Sequence, residues 1–122
     1  MPYTIGEVAR MMNIAPSTLR YYEKEGLLSL GVRASNGQRT YTDDDIATLS
    51  IIEYLKFCGL PLKEIRSFLP LIRPGGETLS ARRDILAKER DNVRAQIAAL
   101  QTKLERLEFG CWFYETAQQY GS

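Results

Sequence analysis

Apolar positions along the chain follow rhythms that change from segment to segment. In "TIGEVARMM" Ile5, Val8, Ala9 and Met12 fall at i, i+3, i+4 and i+7, which makes one buried stripe on a short helix. Thr4 stands just ahead of it with Glu7 at N3, the spacing of a capping box. "NIA" is a tight connection, and Pro16 suits the first turn of a second helix, although Ala15 is a poor cap. In that helix Leu19 and Tyr22 turn inward, while Ser17, Arg20, Tyr21 and Lys24 share the opposite face. Gly26 stops it. Two short helices in close succession, the second with a polar and basic outer face, describe a helix-turn-helix.

In "VRASNGQRTY" the Asn36-Gly37 dipeptide separates two strand-compatible runs and suits a two-residue hairpin turn. The predicted ribbon, a wing, carries Arg33 on one strand and Arg39 and Tyr41 on the other. "TDDDIATLSIIEYLKFCG" predicts a third helix capped by Thr42. Asp43, Asp44 and Asp45 fill its first turn, where the helix dipole favours negative charge; that explains the acidic run better than a metal site does. Gly59 ends this helix. Pro61 opens a fourth, "PLKEIRSFL", with Leu62, Ile65 and Leu69 on one side, and Pro70 is expected to close it. "RPGGE" reads as a linker.

From Glu77 to Glu108 there is neither Gly nor Pro. Leu79, Leu86, Val93, Leu100 and Leu107 recur at a heptad spacing, and Arg83, Arg90, Ile97 and Leu104 fill the intervening seam positions. A single helix of that length cannot bury such a stripe on a small head. Pairing with the same helix of a second copy is expected, through Leu86, Val93, Ile97, Leu100, Leu104 and Leu107; folding back on its own domain is the alternative. The expected organisation is a head over 1–70, a linker over 71–76, a dimerisation helix over 77–108 and an aromatic tail over 109–122. The tail either docks on a partner's head or lines a ligand pocket.

Composition narrows the chemistry. The chain has 122 residues, enough for one domain or one small domain plus an appendage. It has two cysteines, Cys58 and Cys111, and no histidine. Two distant thiols do not build a zinc site, and the usual hydrolytic triads lack their base. No Gly-rich phosphate loop is present, so no enzyme and no cofactor is expected. No apolar run approaches the ~20 residues of a membrane span, and "MPYTIGEVAR" does not read as a secretory signal, so a cytoplasmic address is expected. Net charge is only +1, but between residues 10 and 41 Arg10, Arg20, Lys24, Arg33 and Arg39 outnumber Glu23 and Glu25. Such local clusters make the field that a phosphate feels.

With "YTIGEVARMMNIAPSTLRYYEKEGLL", "NGQRTYTDDDI" and "LKFCGLPLKEIRSFL" in that order, the chain resembles the MerR family of transcriptional regulators. The likeness is close over residues 3–69 and extends to the coiled coil in type. It implies a mainly α fold: a winged helix-turn-helix head with a small β-hairpin wing, then a long helix that forms an antiparallel coiled coil in a homodimer. It implies binding to double-stranded promoter DNA whose two elements stand too far apart, and distortion of that DNA so that RNA polymerase can use it. By position, Ser17, Thr18, Arg20 and Tyr21 face the major groove. Arg33, Arg39 and Tyr41 grip the flanking backbone, and Lys56 and Lys63 reach phosphates as a second wing.

The residue chemistry suits these roles: arginine takes two acceptors on guanine or clamps a phosphate, and tyrosine hydroxyls donate to phosphate. Metal-sensing relatives carry clustered cysteines at the end of the coil, where this chain has Cys111 alone. Multidrug-sensing relatives add a large domain beyond the coil, where about fourteen residues follow here. The effector candidates are therefore Cys111, Trp112 and Cys58, unless Cys58 is simply a packed thiol. Two other readings share these features: an architectural or recombination-associated DNA-binding protein, and a coiled-coil adaptor.

Overall fold

The computed structural model describes residues 2–28, 32–33, 37, 39–72 and 75–121. Among the described residues the order is β1 (Tyr3–Thr4), α1 (Ile5–Met12), α2 (Pro16–Lys24), β2 (Val32–Arg33), β3 (Arg39–Tyr41), α3 (Asp43–Phe57), α4 (Leu62–Ile72), a 3-10 turn (Gly75–Thr78) and α5 (Leu79–Gln119). The chain divides into two units, Met1–Ile85 and Leu86–Ser122.

In the first unit the ends of α1, α2 and α3 have local causes. Thr4 Oγ1 accepts from the Glu7 N–H at 3.1 Å, and Glu7 Oε1 accepts from the Thr4 N–H at 2.9 Å. That reciprocal cap holds the Glu7 carboxyl below its ordinary pKa, chiefly through the bond from the Thr4 backbone. Asn13 ends α1 in the left-handed region at φ 54°, a conformation its short polar side chain tolerates. α2 begins at Pro16 with no side-chain cap from Ala15. It ends in a Schellman motif: Gly26 takes φ +76°, and the Leu27 N–H reaches the Tyr22 carbonyl at 2.9 Å. α3 has a second capping box, Thr42 with Asp45, and a matching end at Gly59, where the Leu60 N–H reaches the Leu55 carbonyl at 3.1 Å.

The sheet has three strands in the order β1-β3-β2, all neighbours antiparallel. Tyr3 pairs with Tyr41 and Arg33 with Arg39. The hairpin matches the predicted wing. Asn36 of the predicted turn lies outside the described residues, and Gly37 takes φ +85°. β1 was not predicted, because two residues carry no periodicity. Val8, Leu19, Leu49, Ile52 and Leu55 form the centre of the core, each with no exposed surface.

Two expectations need correction. Pro70 does not close α4, which runs on to Ile72. A proline in the last turn removes only one ladder bond, and the helix is already anchored by buried Ile65 and Phe68. Nor does the long helix stop at Glu108. α5 continues through the aromatic segment to Gln119, crossing Gly110 at an intrinsic cost of about 1 kcal/mol. Side-chain pairs one turn apart oppose that cost: Phe109 lies 5.7 Å from Trp112 and 6.4 Å from Phe113 between ring centres. No residue of α5 is buried. Among the described residues no helix is long and apolar enough to cross a membrane.

Candidate nucleic-acid interface

α2 presents its two faces as its periodicity requires. Ser17, Arg20, Tyr21 and Lys24 are exposed, Thr18 is half-buried, and Leu19 and Tyr22 are buried. The adjacent tyrosines thus part company: Tyr21 stands 48% exposed and Tyr22 belongs to the core. The Tyr22 hydroxyl donates to Glu53 Oε2 at 2.6 Å and accepts from Lys56 Nζ at 3.2 Å. Burial, and then the bond to Glu53, raise its pKa; its contact in turn raises that of Lys56. A buried phenol therefore fixes where the Lys56 ammonium stands. A cavity of about 380 Å³ is bordered by Ser17, Thr18 and Tyr21 on one side and Lys56 on the other.

A third side chain of α2 faces inward. Glu23 follows Leu19 by one turn and is buried. Arg39 Nη1 donates to Glu23 Oε2 at 2.8 Å, and the Tyr41 hydroxyl donates to Oε1 at 3.0 Å. Burying a carboxylate is tolerable when both oxygens receive strong donors. One residue thereby couples the second helix to the third strand. An open groove of about 710 Å³ lies above this clamp, lined by Thr4, Gly6, Arg20, Lys24 and Arg39 among others.

The structure brings together Arg20 and Arg39 at this groove, and Ser17, Thr18 and Tyr21 with Lys56 at the other. Lys63 is exposed on α4 but lines neither. The Arg33 side chain lies outside the described residues. Tyr41 contradicts its expected role as a backbone clamp. It has no exposed surface, its hydroxyl is committed to Glu23, and its pKa is pushed up to about 12 by burial and by that bond. It supports the wing from beneath. Sequence reasoning missed Glu23, yet a signal was present: Leu19, Tyr22 and Glu23 fall at i, i+3 and i+4, so the carboxylate had to point inward and find a cation.

The thiols differ in setting. Cys58 is half-buried at the C-cap of α3, where its sulfur pairs with the Tyr54 hydroxyl and raises that phenol's pKa. Cys111 is exposed on α5, beside exposed Trp112. Among the described residues no group of three His, Cys, Asp or Glu side chains could hold a metal. Asp43 instead accepts from the Tyr3 hydroxyl at 2.8 Å, and Asp45 serves the Thr42 cap. Val93, Ile97, Leu100, Leu104 and Leu107 stand exposed along α5, Ile97 and Leu100 at 61% each.

The family described as MerR HTH family regulatory protein matches residues 3–71, and the family described as MerR, DNA binding, matches residues 46–108. The chain is 38% identical over 122 residues to an HTH-type transcriptional regulator of Haemophilus influenzae, covering 100% of this chain and 90% of that protein. It is 36% identical over 113 residues to the HTH-type transcriptional regulator ZntR of Escherichia coli K12, covering 89% of this chain and 80% of that one. Among solved structures it resembles HiNmlR, a MerR family regulator lacking the sensor domain, bound to promoter DNA. That likeness has a TM-score of 0.69 at 38% identity, over 100% of this chain and 92% of that one. A recognition helix with a basic outer face, a wing clamped to it, and two family matches spanning head and long helix agree: this chain belongs to the MerR family of helix-turn-helix transcriptional regulators.

Proposed function

We propose that the chain acts as a homodimer that grips a near-palindromic promoter operator with two winged heads and distorts it for RNA polymerase. The observation that carries this reading is the exposed Arg20–Tyr21 face of α2 beside the Glu23-anchored wing residue Arg39. Ser17, Thr18, Arg20 and Tyr21 enter the major groove, while Arg33, Arg39, Lys56 and Lys63 hold phosphates. Phosphate contacts set register without reading sequence, and base contacts supply the specificity. A chain of net charge +1 can still bind DNA, because only the docking faces need be cationic. Deforming the duplex costs on the order of a few kcal/mol, which wing and backbone contacts offset. The bare apolar stripe on α5 supplies the surface that joins the two heads.

Selection of bound genomic fragments, followed by footprinting and salt titration, tests this. The expected result is protection between promoter elements, with log affinity falling by roughly 0.9 per phosphate contact per log unit of salt. Affinity indifferent to salt would remove DNA as the ligand. Protection confined to recombination sites would favour an architectural role.

A further inference from the structure

Continuity of α5 to Gln119 extends the heptad seam past Leu107. Cys111 follows Leu104 by one heptad and Tyr114 follows Leu107, so both lie on the seam rather than in a tail. The seam is also uneven. Its first half holds Arg83 and Arg90, its second half is apolar and ends on an aromatic. Both arginines are exposed and, among the described residues, pair with neighbouring aspartates, Asp84 at 2.9 Å and Asp91 at 3.1 Å; such exposed pairs are weak and yield easily. A parallel in-register pair would face Arg83 with Arg83 and Arg90 with Arg90 across the seam. It would gain exposed flanking pairs such as Glu89 with Arg94, but these are the weak kind and do not offset facing like charges.

Resting on the dimer proposed above, we propose a specific antiparallel register. The two-fold axis passes between Ile97 and Leu100, so that Ile97 packs on Leu100 of the partner subunit. Arg90 then lays its aliphatic stem along Leu107 of the partner subunit. Leu86 meets Cys111 of the partner subunit, and Arg83 stacks on Tyr114 of the partner subunit. This is the register that uses the whole helix. Sliding one seam step either way sets Leu79 or Val93 opposite Cys111 and leaves one end of each seam facing no helix, given the bounds Leu79–Gln119. It also brings Arg94 to the flank of Glu108 of the partner subunit, an opposite-charge pair of the sort that sets orientation. Cys111 is then covered by a leucine and kept roughly 37 Å from its own symmetry mate.

Disulfide trapping reads the register directly, because only seam neighbours meet the distance a disulfide needs. Leu79→Cys, Leu86→Cys and Val93→Cys would each be made in a Cys58→Ala background that keeps Cys111, oxidised mildly, and mapped by mass spectrometry. The expected outcome is a linked dimer from Leu86→Cys alone, joining positions 86 and 111. The background protein should stay unlinked. Arg90→Cys with Leu107→Cys, in a Cys58→Ala, Cys111→Ser chain, checks a second layer if Leu86→Cys folds poorly. Linkage through Leu79→Cys or Val93→Cys, or Cys111 to Cys111, overturns the register. So does a dimer that links at none of these positions. Sedimentation of the reduced samples separates the two claims: a dimer linked elsewhere overturns the register alone, and a monomer overturns the dimer with it.

Discussion

Tyr21 and Tyr22 show how neighbouring identical residues acquire opposite duties from a helical turn of about 100° per residue. The same geometry decides Arg20 and Glu23: one points out, the other is buried against Arg39 and Tyr41. Arg20→Ala should weaken operator binding by about 1–3 kcal/mol if it contacts a base, with thermal stability unchanged because its side chain is exposed. Equal affinities in an anisotropy titration would strike Arg20 from the interface. Tyr41 carries a pH prediction. Its phenol is held at about 12 against an ordinary 10.0, so the folded state disfavours the phenolate. The stability this provides is complete below the unfolded value and is lost as pH rises from 10.0 toward about 12. Tyr41→Phe should lower stability at neutral pH by about 1.5–3 kcal/mol, the worth of a bond to a charged group, and flatten the alkaline decline. Denaturant melts across that window check it; an unchanged alkaline slope would show that Tyr41 does not titrate there.

At the scale of elements, short helices owe their limits to a few side chains. α1 and α3 both start at a threonine whose hydroxyl and N3 carboxylate exchange bonds with backbone N–H groups. Thr42→Ala should cost about 1 kcal/mol, or roughly 4–8 °C in melting temperature for a domain of this size. Thr42→Ser, which keeps the acceptor, should recover most of it. Were the two variants to melt together, the cap would not be the cause. α4 is held from outside as well: Arg66 reaches both the Glu25 carboxylate at 2.7 Å and the Glu25 carbonyl at 3.1 Å, which ties it to the end of α2.

At the scale of the whole molecule, the exposed seam of α5 sets what one copy cannot do. Five large apolar side chains from Val93 to Leu107 stand in water, a stripe that a second helix would cover. Leu100→Glu should produce a monomer in sedimentation and weaken operator binding by on the order of a hundredfold or more, because two tethered heads bind with an effective concentration that one head lacks. A monomer that keeps full affinity would contradict the two-headed account. The same substitution should leave the melting of the Met1–Ile85 unit unchanged, since Leu100 lies outside it.

Periodicity, caps and glycine stops are local, and they alone determined the helix-turn-helix, the wing hairpin, the exposed face of α2 and the heptad stripe. Each rests on residues within a turn or two of one another. Pairing across distance was decided only in three dimensions. β1 exists because Tyr3 lies beside Tyr41, Tyr41 turned inward because Glu23 needed a donor there, and Lys56 is steered by a buried phenol on another helix. The length of α5 fell between these cases. Gly110 and a run of aromatics look like a helix end to local rules, yet tilted ring contacts along one helical face oppose the weak propensity, and the helix runs on to Gln119.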